Sequence, residues 1–109
     1  WVTKQAHRKA ISKTTARLLW DKDYLYIAME AEDKDIWATV EDHDAVLCRQ
    51  DVLEIFLKPR KNKLSYYEFE ISPKNVTWDI FYPSRGVSNS DGHCTAYESN
   101  LKSATKVYG

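Results

Sequence analysis

DVLEIFLKPRKNKLSYYEFEI (residues 51–71) carries the strongest indication of the fold in this chain. Two strand-like runs flank a basic connector, residues 58–63, which holds a proline, an asparagine and four cations. In the second run Tyr67, Phe69 and Ile71 alternate with polar or acidic residues, a period of two that is typical of a strand with one buried face. The connector contains no glycine, so the sequence predicts a hairpin whose loop is longer than a two-residue turn.

The carboxylates of this hairpin are its unusual feature. Glu54 interrupts an apolar run, and an ionised carboxylate is costly to bury unless it is paired. By strand parity Glu54 shares a face with Phe56. Glu68 and Glu70 share a face with Tyr66. If these are the same side of one sheet, that side is either a solvated outer face or a polar groove edged by aromatic rings, and parity alone does not decide between them.

Composition limits the classes of function. The 109 residues suffice for one core, so we expect residues 1–109 to form a single domain. Sixteen basic and sixteen acidic residues cancel, so no net charge recruits nucleic acid or an anionic membrane. No apolar run reaches the ~18 residues that span a bilayer, and residues 1–10 are too polar and basic for a signal peptide. We therefore expect no nucleic-acid partner and no membrane insertion.

Strand-like patterns recur along the rest of the chain at short spacing. They lie at residues 14–20, 24–32, 76–82 and 101–108. Six or so short strands separated by turn signals predict an all-β fold, an antiparallel β-sandwich of the jelly-roll or immunoglobulin-like type. The last run ends without a cap, so we expect the natural domain to continue beyond Gly109 with further C-terminal strands. A neighbouring catalytic domain or a second copy of the chain would then cover the open sheet edge.

Parity within the strands also predicts the core, because inward positions hold apolar side chains that alternate with polar ones. The predicted core residues are Leu25, Ile27, Met29, Leu53, Ile55, Phe69 and Ile71. Trp1 and Trp20 are assigned to the core as well.

Nucleophilic catalysis has little support in the sequence. The three histidines are scattered, and Cys48 has no local signature of an activated thiolate. Glu54 with Glu68 or Glu70 has the composition of a glycosidase pair, but neighbouring strands place many carboxylates at such distances. Cys48 and Cys94 form no C-x-x-C pair and predict no zinc site, whereas a disulfide between them stays open. The chain is therefore interpreted as non-catalytic.

Residues 33–50 form the least regular and most acidic segment. Its aspartates invite comparison with the calcium loop of helix–loop–helix proteins, but Ala38 replaces the required glycine and Asp44 replaces the bidentate glutamate. A looser calcium site stays open beside a merely solvated acidic loop. Its candidate ligands are Asp33, Asp35, Asp42 and Asp44.

Aromatic residues make up 13% of the chain, and they indicate its function better than the histidines, cysteines or aspartates do. Flat rings with polar neighbours suit sugars, because the rings stack on C–H faces while carboxylates accept hydrogen bonds from hydroxyls. Trp37 in the acidic segment and Tyr66 beside the strand of Glu54 are candidates for such contacts. Trp78 fits either the core or a site.

Four segments together resemble a known family. They are ARLLWDKDYLYIAMEAED (16–33), IWATVEDHDAV (36–46), DVLEIFLKP (51–59) and YYEFEISPKNVTWDIF (66–81). In this order they resemble the family 9-like carbohydrate-binding modules, which include xylan- and cellulose-binding modules attached to bacterial xylanases. The family fold is a β-sandwich, in agreement with the strand pattern.

The resemblance also implies a site. In the sugar-binding members a tryptophan just before the D-x-x-E-I-F segment and a second one near the C-terminus enclose the sugar, and the glutamate of that segment and an arginine on the next strand hydrogen-bond it. The glutamate matches Glu54, whereas Cys48 stands at the first tryptophan position and Glu70 at the arginine position. The second tryptophan would lie beyond Gly109. Family members also bind structural calcium, which implies an ion in this chain.

These resemblances imply a non-catalytic module of a secreted, periplasmic or cell-surface protein that binds the ends of plant-type or other polysaccharides and is attached to a glycoside hydrolase. The expected ligand-binding residues are Glu54, Glu70, Trp37, Tyr66 and Trp78. Two alternatives stay open. An accessory domain without its own ligand would expose apolar patches, and a haem-binding relative of the same sandwich class would show a visible absorption band.

Overall fold

The computed structural model describes residues 10–88, 94 and 96–108, and the chain divides into two compact units, Trp1–Asp35 and Ile36–Gly109. Each unit is built on its own antiparallel sheet, and the five regular elements of the described residues are all strands. The predicted all-β class is therefore confirmed. Trp1 lies outside the described residues, so its assignment to the core stays a prediction. In the described part, no helix is long and apolar enough to pass through a bilayer.

The first unit contains a β-hairpin of strands β1 (Thr14–Trp20) and β2 (Leu25–Ala31). The strands pair along their whole length, with Thr14 opposite Ala31 and Trp20 opposite Leu25. The turn is organised by Asp21, whose Oδ1 accepts hydrogen bonds from the backbone N–H groups of residues 23 and 24, at 2.8 Å each. A carboxylate that bonds the backbone two residues on is the usual reason for aspartate in such a turn.

The hairpin corrects part of the predicted core. Trp20 is 78% exposed and Leu25 is 48% exposed, so both assignments to the core are wrong for this structure. Ile27 and Met29 on the same hairpin are half-buried. The physical reason is that a two-stranded sheet covers neither of its own faces, so alternation of residue types does not by itself produce burial.

The second unit contains a three-stranded sheet in the order β3 (Leu53–Leu57), β4 (Tyr66–Ile71), β5 (Thr77–Tyr82). The connection between β3 and β4 is the predicted long loop, in which the Lys63 N–H donates to the Arg60 carbonyl over 3.2 Å. The tight β4–β5 turn has Asn75 at a φ of 61°, a left-handed conformation that asparagine tolerates.

Cross-strand pairing sorts the residues of this sheet onto two faces. The acidic face comprises Glu54, Phe56, Tyr66, Glu68, Glu70, Trp78, Ile80 and Tyr82. The opposite face includes the predicted core residues Leu53, Ile55, Phe69 and Ile71, all of which are half-buried. The most deeply buried residues of the sheet instead include Ile80 and Tyr82 on the acidic face.

The acidic face is partly covered, so its interpretation as a solvated outer face is wrong. Ile80 and Tyr82 form a core cluster with Cys94, and the half-buried Val87 packs against it. Val87 and Cys94 both follow β5, between two of the predicted strand-like runs. No disulfide joins the buried Cys94 to the exposed Cys48.

The final predicted strand is not formed, because residues 101–108 make no backbone ladder in the described part of the chain. Side-chain contacts tie this segment to the β4–β5 turn instead. The Asn75 Nδ2 group donates to the Ser103 carbonyl over 3.3 Å, and the Thr105 hydroxyl donates to the Pro73 carbonyl over 2.9 Å.

Candidate functional site

The acidic face brings the predicted site residues into one row. Glu54 lies directly opposite Glu70 on β4, and Glu70 lies directly opposite Trp78 on β5. Side chains that face each other across an antiparallel pair have Cβ atoms about 4.5–5.5 Å apart, so the three side chains are neighbours. The next row along the sheet places Glu68 between Phe56 and Ile80.

Three carboxylates converge on this face. Glu54, Glu68 and Glu70 each offer an oxygen, and these oxygens lie within 4.8 Å of one another. Glu54 is exposed, Glu68 is buried, and Glu70 is 1% exposed. The Oε2 atom of Glu70 is buried and has no hydrogen-bond partner among the described residues. A buried acceptor without a partner costs stability, so the burial of Glu70 is unfavourable for the folded state.

Burial and mutual repulsion raise the pKa values of two of the three groups. Burial raises the pKa of Glu68 to about 8, and its hydrogen bond and charge interaction with Glu54 act in the same direction. Burial and the charge of Glu54 raise the pKa of Glu70 to about 7. At neutral pH Glu68 is therefore mostly protonated, and it can donate a hydrogen bond to Glu54.

Aromatic rings border the carboxylates. Tyr66 stacks on Tyr82, with ring centroids 4.8 Å apart and planes inclined by 22°. Phe56 meets Tyr66 at 6.1 Å in a tilted arrangement. The pKa of Tyr82 is raised by burial and by its hydrogen bond to Glu68, so its hydroxyl stays protonated. The site therefore combines a rigid ring wall, a phenol donor and a carboxylate cluster.

Four of the five predicted site residues meet on this face, and the fifth lies elsewhere. Trp37 is exposed and sits in the segment before β3, where its N–H donates to Asp51 Oδ2 over 2.6 Å and its carbonyl accepts from the Asp51 N–H over 3.1 Å. Sequence reasoning missed Glu68 and Tyr82 as members of the site. Parity does place Glu68 on the same face as Glu70 and Tyr82 on the same face as Trp78, so both could have been included.

Comparison with known proteins identifies the family. Residues 1–109 match the family described as "Carbohydrate family 9 binding domain-like". The chain belongs to this family. The resemblance inferred from sequence segments is thereby confirmed.

The relatives of this family 9-like chain are much longer proteins. It is 30% identical over 83 residues to "Exoglucanase XynX" of Acetivibrio thermocellus, covering 75% of the chain and 7% of that protein. It is 26% identical over 83 residues to "Endo-1,4-beta-xylanase A" of Thermoanaerobacterium saccharolyticum, again covering 75% and 7%. It is 32% identical over 68 residues to "Endo-1,4-beta-xylanase C" of Paenibacillus barcinonensis, covering 62% and 6%. The chain thus spans less than a tenth of each relative, and no solved structure matches it.

The opposite face of the family 9-like sheet carries a second polar cluster. The His43 Nδ1 atom lies 2.9 Å from the Thr77 carbonyl, and Nε2 lies 3.4 Å from carboxylate oxygens of both Asp44 and Glu98. Burial lowers the pKa of His43, but the hydrogen bond to Glu98 and the charge of Asp44 outweigh it, so the pKa is raised overall. Asp79 is buried nearby, and its Oδ2 accepts the Ser99 N–H over 2.6 Å. With acceptors at both ring nitrogens, His43 can donate from both as an imidazolium ion, while the buried Oδ1 of Asp44 has no hydrogen-bond partner among the described residues.

The candidate calcium ligands of the acidic segment are not gathered into one group. Asp33 accepts the Asp35 N–H over 3.0 Å in a local turn of the first unit. Asp42 and Asp44 belong to the second unit. Of the four, only Asp44 is part of a described group of possible metal ligands, with His43 and Asp79. Calcium bound by the segment itself therefore stays a prediction.

Proposed function

We propose that this chain is a non-catalytic module that binds the ends of plant-type or other polysaccharides on its acidic face, as part of a secreted, periplasmic or cell-surface protein that includes a glycoside hydrolase. The single observation that carries the proposal is the row formed by Glu54, Glu70 and Trp78, with the stacked ring of Tyr66 on the same face. Membership of the carbohydrate-binding family and the names of the xylanase relatives support it.

The chemistry of the row suits a sugar. The exposed carboxylate of Glu54 can accept hydrogen bonds from two adjacent hydroxyls. The half-buried Trp78 offers an apolar surface for the C–H groups of a pyranose ring. Tyr66 is held in place by Tyr82, so it loses little conformational freedom when a ligand binds.

The same geometry argues against hydrolysis by these groups. A glycosidase needs two carboxyl groups that both reach the scissile bond from opposite sides. Of the three carboxylates only Glu54 is exposed, whereas Glu68 and Glu70 are buried. A sugar at this face can therefore contact one carboxylate freely, which fits recognition better than acid–base chemistry.

Binding is expected to be weak. Cys48 stands where the resemblance implies one aromatic wall, and Glu70 stands where it implies an arginine donor. Without a stacking ring and a cationic donor, we expect a dissociation constant of millimolar order. This corresponds to a binding free energy of about 4 kcal/mol.

Replacement of Glu54 by glutamine should lower the affinity for xylo- and cello-oligosaccharides by about tenfold or more, because a hydrogen bond to a charged group contributes about 1.5–3 kcal/mol. Titration by NMR measures this directly for weak ligands. The matched control is Glu30→Gln, which neutralises an exposed strand carboxylate on the hairpin of the first unit. Equal affinity of wild type and Glu54→Gln would place the sugar elsewhere, and no binding to the wild type would refute the proposed function.

A further inference from the structure

We propose that a pocket between the β3–β4 loop and strands β4 and β5 binds a carboxylated sugar, that is, one uronic acid residue. Two cationic side chains and two aromatic rings are among the groups that line this basic pocket. Its lining residues are Pro59, Arg60, Lys63, Ser65, Tyr67 and Phe81. The site is separate from the acidic face and from the polysaccharide ends proposed to bind there.

Strand pairing puts the ring wall of the basic pocket on the side of the sheet away from the three glutamates. Tyr67 lies directly opposite Phe81 on the neighbouring strand, and their ring centroids are 5.2 Å apart. Successive side chains of a strand point to opposite faces, so Tyr67 points away from the acidic face that holds Glu68. Tyr97 also contacts Tyr67, with ring centroids 5.1 Å apart. The ring wall is therefore held in place by contacts among its own members.

The cationic side of the basic pocket comes from the β3–β4 loop. The Lys63 N–H donates to the Arg60 carbonyl over 3.2 Å, so the two cationic residues stand at the two ends of one turn. Both are exposed, and among the described residues neither forms an ion pair. Residues 55–67 contain no aspartate or glutamate, so no carboxylate of the loop competes for these cations. Two cations beside one pocket favour an anionic ligand.

The combination of groups selects the class of anion. The guanidinium of Arg60 is planar and can donate two parallel hydrogen bonds to a carboxylate. Tyr67 and Phe81 offer an apolar surface for the C–H groups of a pyranose ring, and the hydroxyl of Ser65 can donate to or accept from a sugar hydroxyl. An inorganic anion uses the cations alone, and a neutral sugar uses only the rings and the hydroxyl. A uronic acid, whose carboxylate is attached directly to the pyranose ring, uses all of them.

The volume of the basic pocket limits the size of the ligand. It measures about 320 Å³, whereas pockets for small ligands range over about 300–1,000 Å³. A volume at the lower end of this range suits one sugar residue rather than a chain. Because Arg60 and Lys63 are exposed, the carboxylate can enter from solvent, and salt should weaken its binding by screening.

Titration with methyl glucuronide, followed by NMR, tests the site, and methyl glucoside is the matched neutral ligand. We expect methyl glucuronide to shift the amide resonances of residues 60–65 and the ring resonances of Tyr67 and Phe81. Methyl glucoside should leave these resonances in place. They are distinct from the resonances of Glu54 and Trp78, so the outcome at this pocket is measured separately from the binding of neutral sugars on the acidic face.

Three substitutions in the loop separate the pocket from the general charge of the loop. Arg60→Gln and Lys63→Gln should each weaken the binding of methyl glucuronide by about fivefold, the size expected for loss of an exposed charge pair. Lys61→Gln removes a cation of the same loop that does not line the pocket, and it should keep the full affinity. All three positions are exposed, so the melting temperatures should stay close to that of the wild type.

Several results would overturn the site. One is the absence of shifts at these resonances with methyl glucuronide, and another is an equal loss of affinity in Lys61→Gln, which would assign the binding to the charge of the loop. Sulfate that binds as tightly as methyl glucuronide would show that the cations act without the rings. Benzoate that binds more tightly would assign the pocket to aromatic acids instead of sugars.

Discussion

Truncation of Ile80 to alanine should lower the free energy of unfolding by about 2–5 kcal/mol. Ile80 is fully buried in the middle row of the acidic face, in a cluster with Tyr82 and Cys94. Removing its side chain leaves a cavity between β5 and the segment that covers it, and a domain of this size has little stability to spare. Denaturation by urea measures the change as a lower midpoint with an unchanged slope.

Ile11→Ala is the matched control for this prediction, because Ile11 is fully exposed. The same chemical change there should alter stability by no more than about 0.5 kcal/mol. Equal small effects at both positions would mean that the acidic face is not covered as described.

The protein should lose stability as the pH rises from 5 to 9 in a buffer that contains a chelator. The pKa of Glu68 is raised to about 8 and that of Glu70 to about 7, in both cases chiefly by burial. Between the ordinary glutamate pKa and these values the folded state binds more protons than the unfolded state. The free energy of unfolding therefore falls with rising pH, and the loss is complete only above pH 8.

One unit of pKa shift corresponds to about 1.4 kcal/mol, and both groups shift by more than one unit, so the fall should exceed about 1.4 kcal/mol. Thermal or urea unfolding at several pH values measures it. Glu68→Gln should flatten the profile, because glutamine keeps the shape but cannot ionise, while Glu30→Gln should leave it unchanged. A stability that rises between pH 5 and 9 would contradict the burial of these two carboxylates.

Local patterns in the sequence predicted the strands well and their burial poorly. Residues 14–20 were predicted as a strand, which matches β1. The apolar run around Glu54 indicated β3, and alternation placed β4 and β5 within a residue or so of their bounds. Burial depends on what covers a sheet, and this information is not local. Leu25 alternates as a core residue should and is exposed on a two-stranded hairpin. Residues 101–108 alternate like a strand but find no neighbouring strand among the described residues.

The sequence predicted four members of the candidate site, but it did not predict that their face is partly covered. Parity put Glu54 on one face of its strand and Glu70 on one face of the next, and the register Glu54 opposite Glu70 joined the two faces. Val87 and Cys94, which cover part of this face, lie where the sequence shows no strand-like alternation, so no pattern signalled the covering. Trp37 was predicted from its acidic surroundings, whereas its backbone bonds to Asp51 place it before β3 and outside the row.

The most direct test of the account is a map of where sugar binds. Backbone amide and indole resonances of the wild type should be followed by NMR during titration with xylo- and cello-oligosaccharides to high concentration, in calcium and in chelator. We predict shifts at Glu54, Glu70 and the Trp78 indole, with smaller ones at Tyr66. Shifts confined to the opposite face or to the hairpin of the first unit, or none in either buffer, would contradict the claim that the acidic face binds carbohydrate.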